Sequence, residues 1–220
     1  MILEARNLSC RLAGAWLWHG LNLDLRAGER VGLIGPSGSG KTLLLRQVAR
    51  LERLQSGTLQ LAQRSPEQWG LQEWRSRVSY VPQQPVALGG TVADDLRQPF
   101  RYAVHRHRGW PQRRLEQWLR HLGRPESFLE RRTEHLSGGE RQLLGLLRAL
   151  QLDPAVLLLD EPSASLDQAT CHRLEQLLLA WQTGGERALL IVSHDPRQIR
   201  RLCGRVQPLP AASSAAAMTR

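Results

Sequence analysis

The sequence predicts an α/β domain with a core of parallel strands and helices, an antiparallel β part at the N-terminus and an inserted helical subdomain. Residues 155–159 and 188–192 are continuous apolar runs, which are typical of parallel strands buried on both faces. Residues 20–25 alternate between apolar and polar side chains, as in a strand with one exposed face. Residues 1–210 are expected to form a single domain, with the helical subdomain at about 85–150.

The composition is that of a globular protein, with 41% hydrophobic and 23% charged residues in a chain of 220. No apolar run approaches the roughly 18 residues that begin to span a membrane, so no transmembrane segment is expected. The N-terminus has no signal-peptide pattern. Cys10, Cys171 and Cys203 lie far apart along the chain. Their spacing suggests neither a disulfide framework nor a metal site and fits a reducing cytoplasm.

The N-terminal third is predicted to form short strands around one helix. Arg30–Ile34 is an apolar strand, and a glycine-rich and serine-rich turn follows it. Thr42–Leu54 then has apolar residues at helical spacing until the turn signal at residues 56–57. The other strands are predicted at Ile2–Arg6, Gly20–Leu25, Thr58–Leu61 and Val78–Val81.

The composition changes near residue 95. From Arg97 to Arg148 the chain has 12 arginines and 5 acidic residues, which is +7 of the total charge of +10. Leucines recur there at helical spacing, so this basic segment is predicted to be helical. Further helices are predicted at 141–150 and 171–181, and residues 211–220 are expected to be a disordered tail.

A phosphate-binding loop is predicted between the strand at 30–34 and the helix that follows. Residues 35–42 fit the pattern G-x-x-x-x-G-K-[ST], in which the backbone amides and the helix N-terminus surround phosphate groups. Lys41, the one lysine beside 29 arginines, would reach the β- and γ-phosphates of ATP, and the Thr42 hydroxyl would bind Mg²⁺. The predicted ATP-binding residues of this loop are Gly35, Pro36, Ser37, Gly38, Ser39, Gly40, Lys41 and Thr42.

Two acidic residues end the apolar strand near residue 159. The carboxyl ends of parallel strands are where such sheets bind ligands. Asp160 is therefore a candidate Mg²⁺ ligand, and Glu161 is a candidate general base for the attacking water. Taken alone, a helix N-cap would equally explain an acid after a strand.

A second candidate anion site lies at residues 137–139. Ser137, Gly138 and Gly139 precede a helical run, and a helix N-terminus of this composition favours an anion. One nucleotide rarely needs two such sites. The sequence therefore suggests that ATP is shared between two copies of the chain.

These motifs, in this order, resemble those of the ATP-binding-cassette (ABC) ATPases, which have a P-loop NTPase core. The resemblance covers nearly the whole chain and implies an ATPase. The motifs that carry it are Gly35–Thr42, Gln83, Leu136–Glu140, Leu158–Glu161, Ser165–Asp167 and Ser193–Asp195.

The resemblance also implies roles for residues that spacing alone does not assign. Gln83 would contact Mg²⁺ or the attacking water and couple the site to a membrane partner. Ser137, Gly138 and Gly139 would contact the γ-phosphate bound by the other copy, and Asp167 would lie at that interface. His194 would be the switch histidine, which donates to the γ-phosphate. Two copies would therefore form a homodimer around two ATP molecules.

The sequence departs from the family pattern in two places. The family usually places an aromatic residue in the first strands to stack on adenine, whereas this chain has Arg11 there. The Arg11 guanidinium is a candidate for that contact, and Trp16 and Trp18 are alternatives. Residues 164–167 read Ala-Ser-Leu-Asp where the family usually has Ser-Ala-Leu-Asp, so one hydroxyl is displaced.

Residues 84–96 are similar to the ATP-binding subunits of Fet-type iron-export systems, although Gly90 and Asp95 differ from that pattern. The similarity implies a separate integral-membrane permease, a peripheral location on the cytoplasmic side of the membrane, and possible carriage of iron or another metal. The alternative function is a soluble ABC-type ATP switch that acts on nucleic acid or a ribosome.

Three interpretations of the basic helical segment remain open. Its arginines form a solvated face, contact anionic lipid headgroups, or bind nucleic acid. Nucleic acid is not expected, because the long insertions usual in ABC proteins that act on it are missing from the sequence.

Overall fold

The computed structural model describes residues 1–183 and 186–211 and the backbone of 213–214. Nine strands are present in this part of the chain: β1 Leu3–Leu12, β2 Ala15–Leu25, β3 Arg30–Ile34, β4 Ser56–Leu61, β5 Val78–Val81, β6 Val156–Asp160, β7 Ala188–Val192, β8 Arg205–Pro208 and β9 Ser213–Ser214. The α-helices are α1 Lys41–Val48, α2 Pro66–Trp69, α3 Leu71–Arg77, α4 Val92–Arg97, α5 Gln112–His121, α6 Gly138–Leu150, α7 Gln168–Thr183 and α8 Pro196–Leu202. Short 3₁₀ helices occur at Gln98–Arg101, Glu126–Glu130 and Thr133–His135.

The strands form two sheets, which confirms the predicted fold class. The parallel sheet has the order β5-β6-β7-β3-β8. Every residue of β6 and β7 is buried, as their unbroken apolar runs predict. The antiparallel sheet has the order β4-β1-β2-β9 and contains the N-terminal strands.

The chain between β5 and β6 contains helices and no strand. Leu115 and Leu119 of α5 are fully buried in one hydrophobic cluster with Leu143 and Leu147 of α6. The leucines at helical spacing therefore form the buried stripe of this region, while its arginines lie outside that stripe.

Several element boundaries differ from the predicted ones. The helix after the glycine-rich turn ends at Val48 rather than Leu54, because Arg50 has a φ of 58° and reverses the chain. The first two strands are longer than predicted and form a hairpin, whose turn at Ala13 and Gly14 has positive φ angles. In the predicted disordered tail at 211–220, the backbone of 213–214 pairs with β2, whereas residues 212 and 215–220 lie outside the described residues.

A buried carboxylate joins α7 to α8. The Glu175 side chain is 6% exposed, and Arg201 donates to both of its oxygens, at 2.8 and 2.7 Å. Burial alone would raise the pKa of Glu175, but the donors Arg201, Gln198 and Cys171 lower it to about 2. These contacts fix α7 and α8 relative to each other, and both helices follow loops that carry predicted site residues.

The Glu175 network predicts a defined pH dependence of stability. Because the folded pKa lies below the unfolded value of about 4.3, the contribution is complete above about pH 5 and is lost as the pH falls towards 2. Glu175→Gln should therefore lower the free energy of unfolding by about 2–3 kcal/mol at neutral pH. This difference from the wild type should shrink with acid, as measured by denaturant unfolding.

The matched control is Glu126→Gln, which removes an exposed ion pair with Arg120. This change should alter stability by less than about 1 kcal/mol at any pH. A Glu175→Gln effect that stays constant between about pH 3 and 7 would contradict the assignment.

Candidate functional site

The predicted phosphate loop turns between β3 and the start of α1. Gly38 and Gly40 have φ angles of 78° and 84°, a region that glycine adopts without strain. A Cβ on Gly40 would overlap the ring of Trp18, which is buried directly beneath the loop. Trp18 of the antiparallel sheet therefore supports the loop from below, and only glycine fits at position 40.

The residues of the loop form two groups, those that line the neighbouring cleft and those that do not. A cleft of about 490 Å³ is lined by five of them, namely Ser37, Gly38, Gly40, Lys41 and Thr42. Gly35, Pro36 and Ser39 are not among the lining residues, and the Ser39 side chain is buried beneath the loop.

The Lys41 ammonium lies across the loop. It donates to the carbonyl oxygens of Gly35 at 2.8 Å and Pro36 at 3.0 Å. Because α1 begins at Lys41, the free amides of its first turn lie at the same end of the helix as this charge. A cation and several N–H donors at one point make an anion site.

The acidic residues reach the same cleft because their strand is a near neighbour of β3. Strands β6, β7 and β3 are adjacent and parallel, so their carboxyl ends meet at one edge of the sheet. Asp160 is the last residue of β6, is 3% exposed, and accepts a hydrogen bond of 3.1 Å from the Tyr80 hydroxyl. Burial and the neighbouring Asp160 raise the pKa of Tyr80, so Tyr80 remains a donor.

The Glu161 carboxylate is fixed from the adjacent loop. Glu161 has a φ of 49°, an uncommon conformation for a residue with a Cβ, and its amide donates to Val192 at 3.0 Å. The backbone N–H of His194 donates to Glu161 Oε2 at 3.0 Å, and His194 Nε2 lies 3.4 Å from Oε1. Glu161 is 7% exposed, so the carboxylate is held at the floor of the cleft.

A second cleft of about 610 Å³ adjoins the first. Gln83, Glu161 and His194 line both clefts, and Ser163 and Leu166 line the second. The site is therefore open towards the loop that carries Asp167. Asp167 itself accepts hydrogen bonds from the backbone and hydroxyl of Thr170, which lower its pKa.

Ser137, Gly138 and Gly139 are not brought to the cleft. Ser137 caps α6 through a reciprocal pair of hydrogen bonds with Glu140. A Cβ on Gly139 would lie 2.7 Å from the Ser165 carbonyl oxygen, so the start of α6 packs on the Asp167 loop. Ser137 and Gly138 are exposed, and they line neither cleft.

Arg11 is also outside the cleft. Its guanidinium lies over the Trp16 ring at 4.9 Å and donates to the Gly14 carbonyl at 3.1 Å. The wall near the first strands is instead formed by Leu12 and Leu17, which no motif in the sequence marks. Of the aromatic alternatives, Trp18 is buried under the loop and Trp16 is not a lining residue.

This fold and cleft define a P-loop nucleotide-binding domain, and comparison with known proteins identifies the family. Residues 18–164 match the family described as ABC transporter. The chain is 34% identical over 198 residues to the "Probable iron export ATP-binding protein FetA" of Escherichia coli (strain K12), covering 90% of this chain and 87% of that protein. It is 37% identical over 185 residues to the "Lipoprotein-releasing system ATP-binding protein LolD" of Chromohalobacter salexigens, covering 80% and 76%.

Solved structures agree on the fold. A structure described as the ATP binding subunit of an ABC transporter superimposes with a TM-score of 0.85 at 23% identity, covering 99% of this chain and 91% of that one. A dimeric ATP-binding cassette in a post-hydrolysis state with ADP and Pi gives 0.81 at 24% identity, covering 97% and 98%. The chain belongs to the ABC transporter family and is an ATPase subunit of it. No helix in the described part of the chain is long and apolar enough to cross a membrane.

The contact between Gly40 and Trp18 predicts unequal effects of two glycine substitutions. Gly38→Ala should cost about 1 kcal/mol of unfolding free energy, because φ is positive but no atom lies within 4 Å of the new Cβ. Gly40→Ala adds the overlap with the Trp18 ring and should cost at least about 3 kcal/mol. Denaturant unfolding without nucleotide measures both values, and equal losses would contradict the supporting role of Trp18.

Proposed function

We propose that this chain is the ATP-hydrolysing subunit of a transporter, in which two copies close head-to-tail around two ATP molecules and drive a separate membrane permease. The observation that carries the proposal is the separation of Ser137 from the cleft. Ser137 and Gly138 form an exposed helix start, and with the half-buried Gly139 they line neither cleft of their own copy. A second copy facing the phosphate loop would supply this helix N-terminus to the γ-phosphate.

The donor set at the cleft fits Mg²⁺. Thr42, Gln83 and Asp160 offer hydroxyl, amide and carboxylate oxygens, which are the ligands that Mg²⁺ prefers, and all three line the same cleft. When bound, Mg²⁺ would neutralise charge on the β- and γ-phosphates. Tyr80 holds the Asp160 carboxylate in place, and Lys41 provides the second positive charge.

Glu161 is suited to the role of general base. Its Oε2 is held by the His194 amide, whereas no donor is hydrogen-bonded to its buried Oε1 within the described chain. Oε1 therefore has no backbone donor in this part of the chain, and we propose it as the oxygen that accepts a proton from the attacking water. The His194 ring lies on the Oε1 side of this carboxylate, with Nε2 3.4 Å from Oε1 and the side chain exposed, and from there it would donate to the γ-phosphate.

An apolar groove of about 580 Å³ is a candidate site for the permease. The groove lies between the sheet core and the helical region, and Tyr80 and Pro82, just before Gln83, form part of its wall. Three of its lining residues are large, apolar and about half exposed, namely Leu51, Leu88 and Tyr102. We propose that a short cytoplasmic segment of the permease occupies it, so that Gln83 links this segment to the ATP cleft.

The transported substrate is proposed by similarity alone. Iron or another metal is favoured by the relative FetA, which is 34% identical over 90% of this chain. The chain would lie on the cytoplasmic face of the membrane, beside its permease. ATP hydrolysis by the purified complex with its permease should rise when iron(II) is added, and no response to any metal would remove metal export from the proposal.

Replacement of Glu161 tests the catalytic assignment. Glu161→Gln should lower kcat for phosphate release by at least about 100-fold, because the amide does not accept the proton from water. ATP should still bind, and light scattering should detect a dimer in ATP and Mg²⁺. Glu52→Gln is the matched control, since Glu52 lines the same cleft but pairs with Arg46. Near-normal turnover of Glu161→Gln would exclude Glu161 as the base.

A charge placed in the groove tests the docking assignment. The measurement is purification of the tagged chain from detergent-solubilised membranes of its own cell. Leu88→Glu should abolish co-purification of a multi-span membrane protein, because a carboxylate would be desolvated at the interface. Val206→Glu is the control, because its side chain is 47% exposed, close to the 50% of Leu88, but lies outside the groove. Equal recovery by both variants would contradict docking at the groove.

A further inference from the structure

The segment 96–115 has an unusual distribution of charge. It contains six arginines, two histidines and no acidic residue. All six arginines are exposed to solvent: Arg97, Arg101, Arg106, Arg108, Arg113 and Arg114. This basic segment is the most concentrated part of the positive charge found in the helical region.

The arginines of the basic segment differ from their neighbours in having no carboxylate partner. Five of the other six arginines between residues 97 and 148 form ion pairs with described residues, and Arg141 is the exception: Arg120 pairs with Glu126, Arg124 and Arg131 with Glu140, Arg132 with Glu134, and Arg148 with Asp95. Within the described chain, no carboxylate lies within salt-bridge distance of any of the six. Their charge is therefore not neutralised by direct ion pairs; Arg97 and Arg101 interact only at longer range with Asp94, whose pKa is lowered chiefly by its hydrogen bonds with Thr91.

The basic segment forms one rim of the groove described above. Residues 102–105 line the groove, and the Tyr102 side chain is 56% exposed. Val86 and Leu88 on the neighbouring loop are 74% and 50% exposed. Unpaired arginines beside an exposed tyrosine and exposed aliphatic side chains are the combination found at membrane–water interfaces.

We propose that the basic segment contacts anionic phospholipid headgroups at the membrane surface. The proposal rests on the proposed function for its orientation, since a permease segment in the groove brings this rim towards the bilayer. Each exposed arginine near an anionic surface contributes about 1 kcal/mol of attraction.

The small number of exposed aromatic faces favours lipid over nucleic acid as the partner. Non-specific binding of single strands needs aromatic faces free to stack on bases. Trp110 and Trp118 are only partly exposed, and the guanidinium groups of Arg97 and Arg114 lie over their rings at 4.0 and 5.8 Å. The arginines thus lie over the tryptophan rings in and next to the segment, and Tyr102 is left as its one large, exposed aromatic side chain.

The test is co-sedimentation of the full chain with vesicles of phosphatidylcholine, with or without phosphatidylglycerol. The wild type should bind the anionic vesicles, and high salt should release it. The variant is Arg101→Gln, Arg106→Gln and Arg113→Gln combined, because none of these side chains makes a hydrogen bond or ion pair in the described chain. This triple variant should have a partition coefficient into anionic vesicles roughly 100-fold lower than the wild type, because the attraction of three arginines is lost.

The control variant combines Arg26→Gln, Arg64→Gln and Arg173→Gln. It removes the same charge as the segment variant, but from exposed arginines outside the segment. Its vesicle binding should fall less than about fivefold. ATP hydrolysis by the same preparations, without vesicles, should match the wild type for both variants. The ATPase assay and the co-purification of the permease described above test the proposed function separately. Each of the two proposals can therefore fail while the other stands.

Three outcomes would overturn the proposal. The first is equal binding of the wild type to neutral and anionic vesicles, and the second is an equal loss of binding in the two variants. The third is no vesicle binding together with retention of a single-stranded oligonucleotide that the segment variant loses. That result would make the basic segment a nucleic-acid surface.

Discussion

The site depends on the lateral hydrogen bonding of three parallel strands. The register pairs Asp160 of β6 with Val192 of β7, and Val192 with Leu33 of β3. Glu161, His194 and the phosphate loop follow these positions within a few residues. A shift of one residue in any strand would exchange its two faces and bury the wrong side chains. The pairing register of β6, β7 and β3 therefore positions the site residues as well as the core.

Much of this arrangement could be predicted because its signals are local. An apolar run followed by a glycine-rich turn and a helix places Lys41 and Thr42 at a strand end, and Asp160 and Glu161 end another such run. Neighbouring parallel strands then bring these ends together. The separation of Ser137 from the cleft also agrees with the two-copy hypothesis, which followed from the presence of two anion sites in one chain.

The remainder depends on contacts between residues distant in the sequence. Trp18 supports Gly40 from another sheet, and Tyr80 holds Asp160 from a neighbouring strand. Nothing in their local sequence marks either role. Arg11 occupied the expected place for an adenine contact, but the hairpin pairs it with Trp16 and turns Leu12 and Leu17 towards the cleft. Ion pairing is equally non-local, so the unpaired basic segment becomes distinct only once its neighbours' partners are known.

The central claim is that ATP is bound by the cleft of one copy and completed by the helix start of another. The most direct measurement is a crystal structure of Glu161→Gln grown with ATP and Mg²⁺. The account predicts a head-to-tail dimer with the γ-phosphate within hydrogen-bond reach of Lys41 from one copy and Ser137 of the partner subunit. A nucleotide held by one copy alone, with Ser137 still exposed to solvent in the dimer, would contradict it.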